Sequence, residues 1–386
     1  MGRPAGVAAA AISLLTYKMI QLAVYALFGI FVSGALAVLG IALPRWLPIL
    51  VIMAVIWLCG ARNIAFSGKL LGLCMMAEIA ILFALDIGIL LRDGGPQEFS
   101  LTSFAPATVF VPGLGAALVF VVGSFMGFEA TAIFAEEAEH PERTIPRATY
   151  AAVALIVGFY AFSTWTITQY YGAEQVQSVA AAGGETFFFN AVADVLGGWS
   201  VTVMETLLIV SLFASALSFH NTINRYFLAL GRDGLLPRSL GNVHPRHGSP
   251  HVAGRVQALV AAGLMITAVL AGLDPYAVVF SWTSAIAVIG ILSVQILVSF
   301  AIIAWFRRNP HGLGPWARLV APLLALAGLV LVIANLPLLA GSDSPIVWSF
   351  PWIVVAFGLL GAAYAVFLRN RRPALYAALG TAISEV

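Results

Sequence analysis

Ten runs of apolar residues follow one another along this chain with only short polar breaks between them. They cover approximately 6–40, 46–60, 68–91, 108–138, 147–170, 199–230, 254–272, 276–306, 316–338 and 347–368. A helix needs about 20 apolar residues, at a rise of 1.5 Å each, to cross a bilayer. Only the second run is clearly short. Hydrocarbon offers no water to unpaired backbone groups, so runs of this length are expected to be helices. The rest of the sequence agrees. Only 9% of residues are charged, against about 25% in soluble domains. The chain is therefore expected to be all-α and integral to the membrane, as one domain with no polar module interrupting it. Met1-Gly2-Arg3-Pro4 leads straight into the first run, without the short apolar region and cleavage site of a signal peptide. Cys59 and Cys74 read as small buried hydrophobes, not as a disulfide.

The cations set the orientation. Placing the loop after the fourth run in the cytoplasm and alternating puts sixteen of the 19 Lys and Arg inside. Arg45 and Arg92 fall outside, and Lys18 lies within a span. Such a bias follows the positive-inside rule and predicts an even number of spans with both termini cytoplasmic. Between the fifth and sixth runs, residues 185–196 carry apolar positions on a helical period. They form either a short interfacial helix or an ordered loop.

Three ionisable groups lie far from any span end. Lys18, Glu78 and Glu129 fall about 18, 15 and 18 Å from the cytoplasmic side at helical rise, near the middle of a core about 30 Å thick. A charge there costs on the order of 3 kcal/mol. Either the three pair as a structural bridge, or they line a wet cavity as a proton or substrate relay. Around Glu129 the stretch Gly123-Ser124-Phe125-Met126-Gly127-Phe128 holds three small residues in five positions. Glycine loosens helical geometry, and backbone that leaves the helix in lipid must be satisfied by protein, water or ligand. This soft spot is either a close-packing face or a binding site. The adjacent carboxylate favours the site, with regular helix interrupted between about 123 and 128.

These residues also carry a resemblance. The order VGSFMGFE, acidic pair, HPERTIPRA over 122–148 resembles the sixth transmembrane helix of amino acid permeases, in the amino acid–polyamine–organocation (APC) superfamily. A second block is similar to the end of that family's eighth helix and the following loop. It comprises Asn224-Arg225-Tyr226, Ala229-Leu230-Gly231-Arg232-Asp233-Gly234-Leu235-Leu236-Pro237, His244-Pro245-Arg246 and Ser249-Pro250. The likeness runs over the whole chain. Gly2-Arg3-Pro4-Ala5-Gly6 resembles the start of the family's third helix, so the first two helices are expected to be missing.

The resemblance implies a five-plus-five inverted-repeat (LeuT-like) fold with one discontinuous helix. Residues 1–105 would be a partial first repeat, 106–306 the second repeat, and 307–386 two C-terminal helices. It implies a secondary transporter of amino acids or small amines in the cell membrane, with Gly123–Phe128 at the substrate. Gln21, one turn from Lys18, falls where the third helix presents a polar residue to substrate. Glu78 falls where many members carry a lysine, so that role is not carried over; Lys18 would supply the positive charge. Glu129, Glu78 and Lys18 are the candidates for gating and proton coupling. Ser211, Ser215, Ser218 and Asn221 share a helix face. By resemblance Ser215 and Ser218 are candidates for a cation site; the alternative is back-bonding to their own helix. His220, near the inner end of that helix, reads as a packed neutral histidine.

Other chemistry is weakly signalled. His244, His247 and His251 share one loop without an acid or cysteine, and metal is not expected. No GxxxxGK[ST] phosphate loop occurs, so no nucleotide cofactor is expected, and the cations need no nucleic acid to explain them. An intramembrane enzyme using Glu129 and Glu78 as acid and base would lack any nucleophile or metal motif. A non-transporting fragment of a permease is the other alternative. The substrate itself is not legible in these residues.

Overall fold

The computed structural model describes residues 2–62, 68–92, 99–111, 114–129, 140–308, 314–335 and 346–379. The described residues are helical, with turns and short connections between the helices. In chain order the helices are α1 (Arg3–Val38), α2 (Trp46–Ala61), α3 (Gly68–Leu91), α4 (Leu114–Phe125), α5 (Pro141–Tyr171), α6 (Val176–Gly183) and α7 (Phe187–Leu196). There follow α8 (Gly198–Arg232), α9 (His251–Leu270), α10 (Ser281–Arg308), α11 (Ala321–Asn335), α12 (Phe350–Arg371) and α13 (Pro373–Ala378). π-helical turns lead into α10 (Pro275–Phe280) and α11 (Trp316–Val320).

Seven helices among the described residues are long and apolar enough to cross a membrane. They match seven of the ten expected runs. The second run is the 16-residue α2, and the ninth is the short apolar α11. The fourth is split: a helical turn at Pro106–Val109, then α4. Its continuation over 130–139 lies outside the described residues, as do Glu136, Glu137 and Glu139. Residues 187–196 form α7, so the helix alternative for that stretch holds. The preceding α6 was not expected, and the pair bends by 106°.

The 36-residue α1 is the axis of the bundle. It packs on α12, α10, α8 and α2, so it is surrounded by protein along much of its length. Ile12, Leu15, Leu22, Tyr25, Ala26 and Ile30 are all buried. Water expulsion does not drive helix association inside lipid, so close packing must do it. Gly361 of α12 shows how: a Cβ there would sit 2.9 Å from the carbonyl oxygen of Val7 in α1. A second cluster joins Leu85 and Ile89 of α3 to Ile167 of α5 and Ala191 and Val192 of α7. Large apolar side chains remain exposed on the outer faces, among them Leu259, Leu359, Leu360 and Trp352, as a lipid-facing surface requires. Cys59 and Cys74 are free and partly buried.

Candidate functional site at a helix break

Regular helix in α4 ends at Phe125. Two local causes are visible. The Ser124 hydroxyl donates to the Val121 carbonyl at 2.7 Å, within its own helix. Met126 N–H reaches back only to Gly123, at 3.2 Å. Gly127 then takes φ +117°, a conformation open to glycine and strained for any residue with a Cβ. The interruption expected between 123 and 128 is thus present.

The freed amide does not wait for an external anion. Gly127 N–H donates to Glu129 Oε2 at 2.9 Å. The other carboxylate oxygen accepts from the Tyr17 hydroxyl of α1 at 3.0 Å. Tyr17 is itself buried, its ring centroid 5.6 Å from that of Tyr226 and 6.2 Å from that of Phe219, both on α8. Hydrogen bonds to an ionised carboxylate are the stronger kind. Glu129 therefore ties the backbone at the break to the central helix, and the freed amide is satisfied by protein.

A cavity of about 290 Å³ opens beside it. Phe125, Met126, Phe128, Val122, Leu292 and Leu329 are among its walls, with Glu129 and Gln295 as its polar members. Of the residues expected at substrate, Phe125, Met126 and Phe128 line this cavity. Gly123, Ser124 and Gly127 shape the break instead. Gly123 faces Val288 of α10, where a Cβ would make ordinary contact at 3.4 Å, so close packing does not require a glycine at that position.

The three midplane charges do not meet. Lys18 is only 7% exposed, and its ammonium makes no ion pair among the described residues. It donates to Gln21 Oε1 at 3.2 Å, to the Gln257 carbonyl at 3.0 Å, and to Gln257 Oε1. Gln257 Nε2 in turn meets His220 Nδ1. A Lys18–Glu78 bridge is not formed, because the packing of α1 turns Lys18 toward α9. Gln21 is fully buried and donates to the Tyr25 hydroxyl at 3.0 Å; it belongs to this sealed network and is absent from the cavity walls. Glu78 of α3 lies beside Ser211 of α8, with its Oε1 buried and unpartnered. Ser215 and Ser218 make no hydrogen bond among the described residues, so the back-bonding alternative is not seen. His220 is fully buried, as expected of a packed histidine. His244 Nδ1 accepts the backbone N–H groups of Arg246 and His247 at 3.2 and 3.3 Å, and acts as a loop cap.

Two residues escaped sequence reasoning. Tyr17 carries no formal charge, and only its adjacency to Lys18 could have drawn notice. Asp86 is 2% exposed in α3 and accepts from Ser163 at 2.6 Å and Thr166 at 2.5 Å, both on α5. An ionisable residue inside an apolar run was the signal for it.

The described residues form a multi-pass helical bundle in which one apolar helix ends beside a glycine and a carboxylate, a setting in which membrane transporters place their sites. The amino acid permease family matches the chain over residues 2–373, and the chain belongs to that family. Its members and the relatives below are permeases, not enzymes. The chain is 30% identical over 206 residues to the branched-chain amino acid permease BcaP of Bacillus subtilis, covering 50% of this chain and 38% of that protein. It is 23% identical over 224 residues to the low-affinity putrescine importer PlaP of Escherichia coli, covering 54% and 46%. It is 24% identical over 233 residues to the methylthioribose transporter of Bacillus subtilis, covering 60% and 47%. In each case the match spans less than half of the relative's length.

Proposed function

We propose that this chain is the membrane-embedded part of a secondary transporter that moves amino acids or related small amines across the cell membrane. Both termini then lie in the cytoplasm, and the chain divides into a partial first repeat, a second repeat from 106 to 306, and two C-terminal helices. The observation that carries the proposal is the Glu129 carboxylate, held by Gly127 and Tyr17 at the wall of an apolar cavity. With the break's amide already occupied, the complementary ligand group is a cation. An ammonium suits it, with an apolar body against Phe125, Met126 and Phe128. Amino acids and small amines share that ammonium, and relatives named for branched-chain amino acids and for putrescine support the same class.

Protons are the coupling ion in this proposal. Protonating Glu129 removes the negative charge that attracts the ammonium, so proton binding and substrate release are linked at one group. Glu129→Gln, in the protein that carries this chain, is expected to lower the affinity for substrate and to flatten the pH dependence of the uptake that remains. Uptake by a well-expressed Glu129→Gln protein that keeps the original pH profile would place the proton role elsewhere, with Glu78 next to be tested.

A further inference from the structure

The loop after α8 and the end of α12 enclose a second cleft, of about 850 Å³, far from Glu129 in the chain and lined by none of the residues at the break. Arg238 and Arg372 line it, and both are solvent-exposed. Neither makes an ion pair among the described residues, and no carboxylate lines the cleft; the nearby Asp233 is not part of it. The remaining wall is apolar and includes Leu236, Pro237 and Leu375.

The two sides of the cleft are pinned together. The Tyr364 hydroxyl of α12 donates to the Leu235 carbonyl at 3.0 Å. Leu235, Leu368 and Leu379 form a buried cluster beneath it. Arg3 holds the far side, donating to the Ala377 carbonyl at 2.6 Å with its guanidinium over the Tyr376 ring. The cleft is therefore part of the packed structure and not a gap between loose loops.

Its position decides what fits. Arg372 directly follows the last residue of α12, where a span leaves hydrocarbon for the headgroup layer. Tyr364 lies eight positions earlier, about 12 Å deeper at helical rise. The cleft thus joins two guanidinium groups to an apolar wall where α12 ends. Guanidinium matches a phosphate oxygen pair, and an apolar wall beside it suits glycerol and acyl carbons better than a free ion. We propose that this cleft binds an anionic phospholipid, its phosphate between Arg238 and Arg372 and its first acyl carbons against Leu236, Pro237 and Leu375. The proposal rests on α12 spanning the membrane and not on transport, so either can fail alone.

The test is lipid retention by the full chain, purified from phosphatidylcholine and phosphatidylglycerol vesicles mixed about 4:1 and followed by native mass spectrometry during detergent exchange. Phosphatidylglycerol is expected to be retained above its vesicle share. Arg238→Gln and Arg372→Gln should each lower that excess about fivefold, the effect of one cation near an anionic headgroup, and the double variant should abolish it. Arg238→Lys with Arg372→Lys should keep most of it. Arg369→Gln, on the same end of α12 but outside the cleft, should leave it unchanged. Size-exclusion profiles verify that each variant is folded. Undiminished retention by the double variant, or an equal loss in Arg369→Gln, overturns the site. Inorganic phosphate separates the two sources of the same chemistry. Lipid that stays bound in millimolar phosphate supports the assignment, and lipid displaced by phosphate alone overturns it in favour of a free-anion site.

Discussion

Tyr17 and Lys18 are neighbours on α1, yet they face two different interiors. Tyr17 reaches the break and meets a carboxylate that borders a cavity. Lys18, about 100° further round the helix, reaches α9 and is closed in by three neutral oxygens. The polar groups lie at similar depth, and the expected cost of placing charge there is similar. What differs is the wall. Lys18 is 7% exposed with its donors satisfied by packed side chains, so its charge serves to hold helices together. Glu129 is half-buried beside open volume, so its charge is available to a ligand. Depth in the membrane marks a group as costly; the neighbouring helices decide whether that cost goes to structure or to binding.

This contrast can be broken most forcefully at Lys18. Lys18→Ala leaves the Gln257 carbonyl, Gln257 Oε1 and Gln21 Oε1 without their shared donor and opens a void. A loss of about 3 kcal/mol is expected, read as a lower unfolding temperature and a poorly monodisperse protein in detergent. Unchanged thermal stability would remove the structural role assigned to the sealed side. Next comes Gly127→Ala, which forces a Cβ into a φ of +117° and should cost about 2 kcal/mol. Gly123→Ala serves as its control, since there a Cβ meets Val288 only in ordinary contact, 3.4 Å away. Equal costs at the two positions would mean that the break is not strained as described.

Tyr17→Phe removes one of the two donors to Glu129 without opening a void. About 1 kcal/mol of stability should be lost, and uptake should weaken more than stability does. A fall in uptake no larger than the loss of folded protein would make Tyr17 a packing residue only. The smallest effect is expected at the exposed Arg92–Asp194 pair, 2.5 Å apart. Hydrogen bonding from Arg92, then from Tyr170, holds the Asp194 carboxyl below its ordinary range. Its contribution is therefore present above the unfolded carboxylate pKa and is lost as pH falls through the lower folded value. Since both groups are exposed, solvent screens most of it. Asp194→Asn should change the unfolding temperature barely at neutral pH, and a large drop there would show that α7 is anchored mainly by this contact.

Much of this architecture is legible without coordinates. The number and placement of long apolar runs follow from the length a span must have, and seven of them are helices of membrane-crossing length. The break is legible because Gly123 and Gly127 bracket it and Glu129 adjoins it, a local chemistry that needs no distant partner. The apolar period of residues 185–196 allowed a helix without deciding against an ordered loop, and 187–196 are helical. The depth of Lys18, Glu78 and Glu129 follows from counting at fixed rise.

What counting along a helix cannot supply is direction around it. These helices are apolar on nearly every side, so no polar stripe marks which face meets protein and which meets lipid. Only the packing of α1 among α8, α10 and α12 decided that Lys18 finds Gln257 instead of Glu78, and that Gln21 is sealed away from the cavity. The placement of α1 brought Tyr17 to Glu129, and the packing of α3 on α5 carried Asp86 to Ser163 and Thr166, contacts between residues separated by 112, 77 and 80 positions. Rise per residue is a property of the chain, but the angle at which one uniformly apolar helix faces another is set only where their side chains interlock.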